Sequence, residues 1–225
     1  MTITEKNPSR IQIEGHVNAV ERYSNIQDSK LGRYIEKMRK GVFQRHFSRS
    51  SEACMLHIDH GYFDNGKVYG TTDDEMFRTL TEDGVGLYTH LDVTDPELIE
   101  AALNGDFIGW SFGFNVIDRD LTTWSREFAI SELGLKEEDI PEPEITVVHV
   151  NDLELKEISL ITRRLTPKFE GNDVNVCASS DNYSWGGVFI DTVSIAKMPQ
   201  RANYNYDIKI TDLKKEKLKW IQGQK

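Results

Sequence analysis

The sequence is poor in several things at once. Two cysteines, Cys54 and Cys177, are the whole thiol complement of 225 residues, and neither belongs to a CxxC pair or a Cys/His cluster. That excludes a disulfide framework and a thiolate zinc site, and predicts two buried free thiols in a reducing compartment. No run approaches the ~18 consecutive apolar residues that a spanning helix needs. The N-terminal MTITEKNPSR carries no apolar segment of the kind a secretory leader has, so the sequence predicts a cytoplasmic protein. Positive charge is also short: 27 Lys and Arg against 37 Asp and Glu leave a net charge of −10. That balance disfavours sequence-independent binding to nucleic acid and docking on anionic membranes. Neither a P-loop nor a GxGxxG fingerprint occurs, so nucleotide binding has no support.

What is present is an ordinary globular composition, 38% hydrophobic and 28% charged, with no internal repeats. A core can form without metal or disulfide. Residues 1–10 are polar and read as a frayed terminus. Ile11, Ile13 and Val17 alternate with polar neighbours as in a strand. Leu31, Tyr34, Ile35, Met38 and Val42 fall at spacings of three and four, which predicts a helix that Gly41 interrupts or ends. Residues 53–60 read as a strand whose last residue is His60. Residues 68–80 and 86–93 read as two strands joined at GluAspGly (82–84). Thr94–Gly105 is the clearest helix, with a cap at Thr94 or Asp95, Pro96 in the first turn and Gly105 past the end. Phe107–Val116 reads as a strand. Residues 118–144 read as an insertion holding an amphipathic helix over 124–133. Residues 145–161 hold one or two more strands. After Gly171 the chain turns Asn-, Ser- and Gly-rich and ends in a lysine-rich stretch, so 172–225 reads as a polar extension to a domain at 11–171. This order favours a mixed β-barrel or α+β domain over a doubly wound parallel sheet.

Ser111 sits inside GlyTrpSerPheGlyPhe (109–114). Buried serines ordinarily just bond to backbone. Here Gly109 and Gly113 flank it on the same strand face and would let another chain approach the hydroxyl as a substrate groove. The context is strand throughout, so the segment is not a nucleophile elbow. A serine needs a base. Of six histidines, His57 and His60 stand where a strand gives way to a loop. Alternation would put His60 in line with Leu56 and Ile58, and His57 on the opposite side with Met55 and Asp59. Glu157 ends the apolar row Leu153, Leu155, and a carboxylate there needs a partner: either an imidazole to orient or a lysine or arginine. His57, Asp59 and His60 also suggest a metal-dependent hydrolase, but no second cluster completes the ligand set.

Six segments in order resemble the prohead (capsid maturation) serine proteases of tailed phages, which are distantly related to herpesvirus assemblin. They are IleGluGlyHisVal (13–17), LysGlyValPhe (40–43), LeuHisIleAspHis (56–60), GluAspGlyValGlyLeuTyr (82–88), LeuAsnGlyAspPheIleGlyTrpSerPheGlyPhe (103–114) and LeuLysGluIleSerLeuIle (155–161). The resemblance covers about residues 11–171. It implies an α+β, mostly antiparallel β-barrel-like core with surrounding helices. It implies Ser111 as nucleophile, His60 as base and Glu157 as third member, with no cofactor and no metal. His57 stays open as the base, because the family usually has Asp after the histidine where this chain has Gly61. His149 stays open as third member. Arg163 and Arg164 match in position the arginine pair that supports the oxyanion in assemblin-like enzymes. The implied substrate is the major capsid precursor or scaffolding protein, cut inside the assembling prohead in the host cytoplasm. Self-cleavage, with 172–225 as propeptide or docking tail, and a homodimer also fit the family. A non-catalytic capsid assembly protein on the same fold is the competing reading. The insertion at 118–144 would serve as a lid or partner-binding element.

Overall fold

The computed structural model describes residues 8–29, 32–166, 168–169 and 174–178. Among the described residues, ten strands and three helices make an α+β domain in which strand dominates. The strands form two sheets, and among the described residues neither closes into a barrel.

The first sheet has four strands: β1 (Ile11–Ala19), β6 (Phe77–Glu82), β7 (Gly86–Val93) and β10 (Asn175–Ala178), in the order β10-β1-β7-β6. Every neighbouring pair is antiparallel. Strand β10 lies beyond the domain boundary expected at 171, so the sheet draws on residues past it. The rest of 172–225 lies outside the described residues.

The second sheet is built around β9 (Glu144–Thr162), a single strand of 19 residues. One edge of β9 pairs along its length with the equally long β8 (Phe107–Ser125). The other edge pairs twice, both times in parallel: first with β3 (Gly32–Met38), then with β4 (Met55–Ile58). The short strands β2 (Gln27–Ser29) and β5 (Gly70–Thr71) complete the sheet. Ile11, Ile13, Leu91, Phe107, Trp110, Ile158 and Leu160 meet in one core between the sheets.

The helix expected around 31–42 is a strand instead. Ile35 and Met38 lie in β3, which pairs with β9. The spacings of three and four coincided with a strand whose residues 35, 36 and 38 are all buried. Gly41 begins a helix rather than ending one, with φ of 84° just before α1 (Val42–Arg49). The first N–H groups of α1 donate to the Glu82 carboxylate on β6, including Phe43 N at 2.9 Å and Gln44 N at 3.0 Å. The second helix, α2 (Pro96–Leu103), starts as expected: Asp95 accepts from Glu97 N and Leu98 N.

Residues 118–144 are largely strand and helix. The β8–β9 ribbon simply continues, and α3 (Arg126–Leu133) caps its end. A second small core sits there, made of Ile35, Ala129, Ile140, Ile145 and Val147.

Candidate active site

The long strand β9 sets the site. Its antiparallel register with β8 puts Ser111 opposite Ser159 and Gly113 opposite Glu157. Its parallel register with β4 puts His57 opposite Ser159 and Met55 opposite Glu157. Directly paired residues share a face, so Ser111, Ser159, Glu157 and His57 stand on one side of the sheet. Ile158 and Leu160 point the other way into the core.

His60 does not continue the β4 row, as alternation alone would have it. The strand ends at Ile58, and Asp59 and His60 both take the left-handed conformation, at φ 48° and 58°. Non-glycine residues rarely adopt it, and Asp and His are among those that tolerate it best. Two such residues in succession swing His60 back over β9. Gly61, at φ 69°, follows in the same region, and a Cβ there would stand 2.7 Å from the Gly66 backbone.

Three β9 side chains hold this turn. Glu157 Oε1 accepts from the His60 ring at Nδ1, 2.5 Å away. Ser159 Oγ accepts the His60 backbone N–H at 2.8 Å. Thr162 donates to the buried Asp59 carboxylate twice, through its N–H at 2.7 Å and its hydroxyl at 2.6 Å. The Glu157 carboxylate fixes the proton on Nδ1, which leaves Nε2 as the basic nitrogen of the neutral ring. His60 and Ser111 line one pocket, together with Tyr62, Ile161, Leu165 and Lys168.

Gly113 also has a use within the fold. A Cβ there would lie 2.5 Å from Glu157 Oε1 and 2.7 Å from its Cγ. The bare α-carbon makes room for the carboxylate that engages His60. Gly109 lies on the same face, opposite Ile161.

The other candidates have different neighbours. His57 is buried and its Nδ1–H donates to the Lys67 carbonyl at 2.7 Å, which ties the following loop to β4. His149 is on β9 eight positions before Glu157, roughly 26 Å along an extended strand. Its ring faces Tyr23, with centroids 6.2 Å apart. Burial, followed by the charges of Arg39 and Lys37, holds its pKa below the usual histidine range. Arg163 and Arg164 are exposed on the turn after β9. The Arg164 guanidinium lies 4.9 Å from the Phe63 ring centroid and its Nε 3.8 Å from Asp59 Oδ2. Neither arginine lines the pocket of Ser111. Among the described residues no group of three or more His, Cys, Asp or Glu is arranged to hold a metal ion.

Residues 1–184 match the family described as caudovirus prohead serine protease. The chain belongs to that family. No curated protein matches it.

In this family member the segments GlyTrpSerPheGlyPhe (109–114) and LeuLysGluIleSerLeuIle (155–161) are thus adjacent strands of one ribbon. Sequence reasoning missed four contributors. Ser159 was detectable, since it stands two residues after Glu157 on the same face. Asp59 was weighed as a metal ligand, whereas it is an anchor for the turn. Tyr62 and Lys168 carry no local pattern that marks them, because the fold alone brings them to Ser111. Lys168 is held below the usual lysine range by burial, opposed by the charge of Glu36. Glu36 is itself buried, which raises its carboxyl above the usual range, and Lys168 offsets part of that. The Cys54 thiol is pushed up to about 12, first by burial and then by the nearby Glu157 charge.

Proposed function

We propose that this chain is the endopeptidase that cuts the capsid or scaffolding precursor during head assembly, inside the prohead in the host cytoplasm. Ser111 is the nucleophile, His60 the general base and Glu157 the residue that orients it. The observation that carries this reading is the 2.5 Å bond from His60 Nδ1 to Glu157, made by a ring that lines the same pocket as Ser111.

His60 Nε2 takes the proton from Ser111 Oγ as the oxygen attacks the scissile carbonyl. The tetrahedral intermediate collapses, and His60 returns the proton to the leaving amine. Water then enters by the reverse route, giving up a proton to His60 and releasing the carboxylate product with Ser111 restored. Glu157 steadies the imidazolium through both halves. Domain processing fits the same chemistry: a unit over about 11–178 would act on a precursor and on its own extension.

Replacing Ser111 with Ala tests the reading. Precursor cleavage, followed on a gel with purified capsid precursor, is expected to fall by at least ~10³-fold, the scale for loss of a serine nucleophile. The circular dichroism spectrum should match the parent. Continued processing by the folded variant would remove the peptidase reading and leave a capsid assembly protein.

A further inference from the structure

The four-stranded sheet ends in an open edge. Among the described residues β6 pairs with β7 alone. Asp83 N donates to Gly86 O at 2.8 Å, which makes 83 and 86 a hydrogen-bonded pair. Such pairs alternate along an antiparallel ladder, so Thr79 and Thr81 bond toward β7, and Leu80 turns its N–H and C=O outward. At Glu82 the edge is closed by the start of α1, whose N–H groups donate to the Glu82 carboxylate. Below that point a groove of about 260 Å³ opens between residues 77–80 and the chain near 50–54. This second wall starts out extended, with Ser50 at φ −110° and ψ 134°. Its even positions bond locally: Glu52 N donates to Ser50 Oγ at 3.1 Å and Cys54 N to Thr72 Oγ1 at 2.9 Å. The N–H groups of Ser51 and Ala53 donate to no described residue. Phe47, Phe77 and Leu80 give the groove apolar surface, and the buried His46 beside them leaves Nδ1 without a partner.

We propose that the segment Val188–Ile195 of the same chain occupies this groove and adds a fifth strand to the sheet beside β6. Backbone groups left open on both walls of an apolar groove suit an extended polypeptide, which brings donors and acceptors at strand spacing. Folded proteins ordinarily cover an edge of this kind. Five of the eight residues of the segment are β-branched, and Gly186, Gly187 and Pro199 bound it, which is the sequence pattern of a strand. Alternation puts Phe189 and Val193 on one face and Val188 and Ile190 on the other, so either face brings apolar side chains to the groove. Register delivers the chain to the right end of the sheet. Ala178 stands opposite Ile11, Ile11 opposite Val93, and Leu91, two residues before Val93, opposite Phe77. The described chain therefore leaves β10 close to the level of Phe77, three strand spacings from β6, or about 14 Å. The ten positions from Ala178 to Val188 reach about 33 Å when extended, so the crossing is well within range. The contact is independent of the peptidase reading, because no residue of the Ser111 pocket lines the groove.

Amide hydrogen exchange on the full chain, resolved residue by residue by NMR, tests this. The Leu80 amide has no ladder bond, so it exchanges fast unless a strand covers the edge. The expected result is slow exchange at Leu80 and Ser51, at rates that dilution of the protein leaves unchanged. In the double variant Phe189→Asp, Val193→Asp both amides should exchange at least about 10-fold faster, while Thr89 in β7 keeps its rate and reports that the fold is intact. Fast exchange at Leu80 in the unaltered chain means an open edge and overturns the proposal, whether or not the double variant folds. Slow exchange that survives in the folded double variant assigns the groove to some other occupant and also overturns it. Protection that is lost on dilution assigns the groove to a second copy, with the same consequence.

Discussion

The two halves of the β8–β9 ribbon are built alike and live in different surroundings. Near the site, residues 107 and 109–113 of β8 and 157–162 of β9 are buried on both faces. Toward the far end β8 becomes exposed, with Ile117 and Leu121 open to solvent, and only the β9 side keeps apolar residues inside. The ladder of backbone hydrogen bonds is continuous through both halves, broken only by shifts of register. Backbone pairing therefore does not distinguish them. What differs is the second face, which near Ser111 is covered by the His60 turn and by Leu165, Thr166 and Lys168. A buried strand face that carries Ser, Glu and Ser needs partners for each polar group. Those partners are the site.

The comparison makes distinct predictions about stability and activity. Trp110 is fully buried in the larger core, so Trp110→Ala should cost about 3–5 kcal/mol in denaturant unfolding. Ile145→Ala, in the small far core, should fall at about 2 kcal/mol, the low end for truncating a buried aliphatic. Equal costs would mean that the two cores are one cooperative unit in packing as well as in pairing. Gly113→Ala should strike the site through Glu157, costing about 1–3 kcal/mol by overpacking. It should also lower peptide cleavage by about 10–100-fold, because displacing Glu157 moves the His60 ring. Intact activity in that variant would show that the carboxylate is not needed where it stands.

The four-stranded sheet provides a further contrast. Arg10, Arg78 and Gln12 surround Asp92 and hold its carboxyl down to about 2. A folded value below the unfolded one adds stability that is present above about pH 4 and lost as pH falls toward 2. Because both arginines are nearly half exposed, the contribution should be about 1–2 kcal/mol, and Asp92→Asn should abolish it in acid titrations of unfolding. An unaltered acid limb in that variant would place the acid sensitivity elsewhere, in the ribbon. At the bottom of the scale, Phe128→Ala on the exposed face of α3 should change stability by less than about 0.5 kcal/mol.

Local signals were legible where local physics decides. The cap at Asp95, the turn at 82–84 and the apolar run at 107–116 all gave elements in the right place. The helix expected at 31–42 failed because β3 is chosen by its partner β9, more than a hundred residues away. The length of β8 was hidden because its outer half lacks apolar alternation, and it is a strand by pairing rather than by pattern. At the site, Ser111, His60 and Glu157 were picked out as candidates on type and position. The two left-handed residues that aim His60 are invisible in a sequence, and so is the chain reversal that delivers Lys168.

The anchoring of Asp59 by Thr162 has a consequence for timing. The turn that presents His60 is held by side chains 97 to 103 positions further along the chain. On a ribosome adding about 5–20 residues each second, Ser111 is made roughly 3–10 s before Thr162. During that interval the nascent polypeptide already contains both the hydroxyl and the imidazole, yet nothing locks them in register. The turn that presents His60 therefore cannot be completed until Thr162 has been translated.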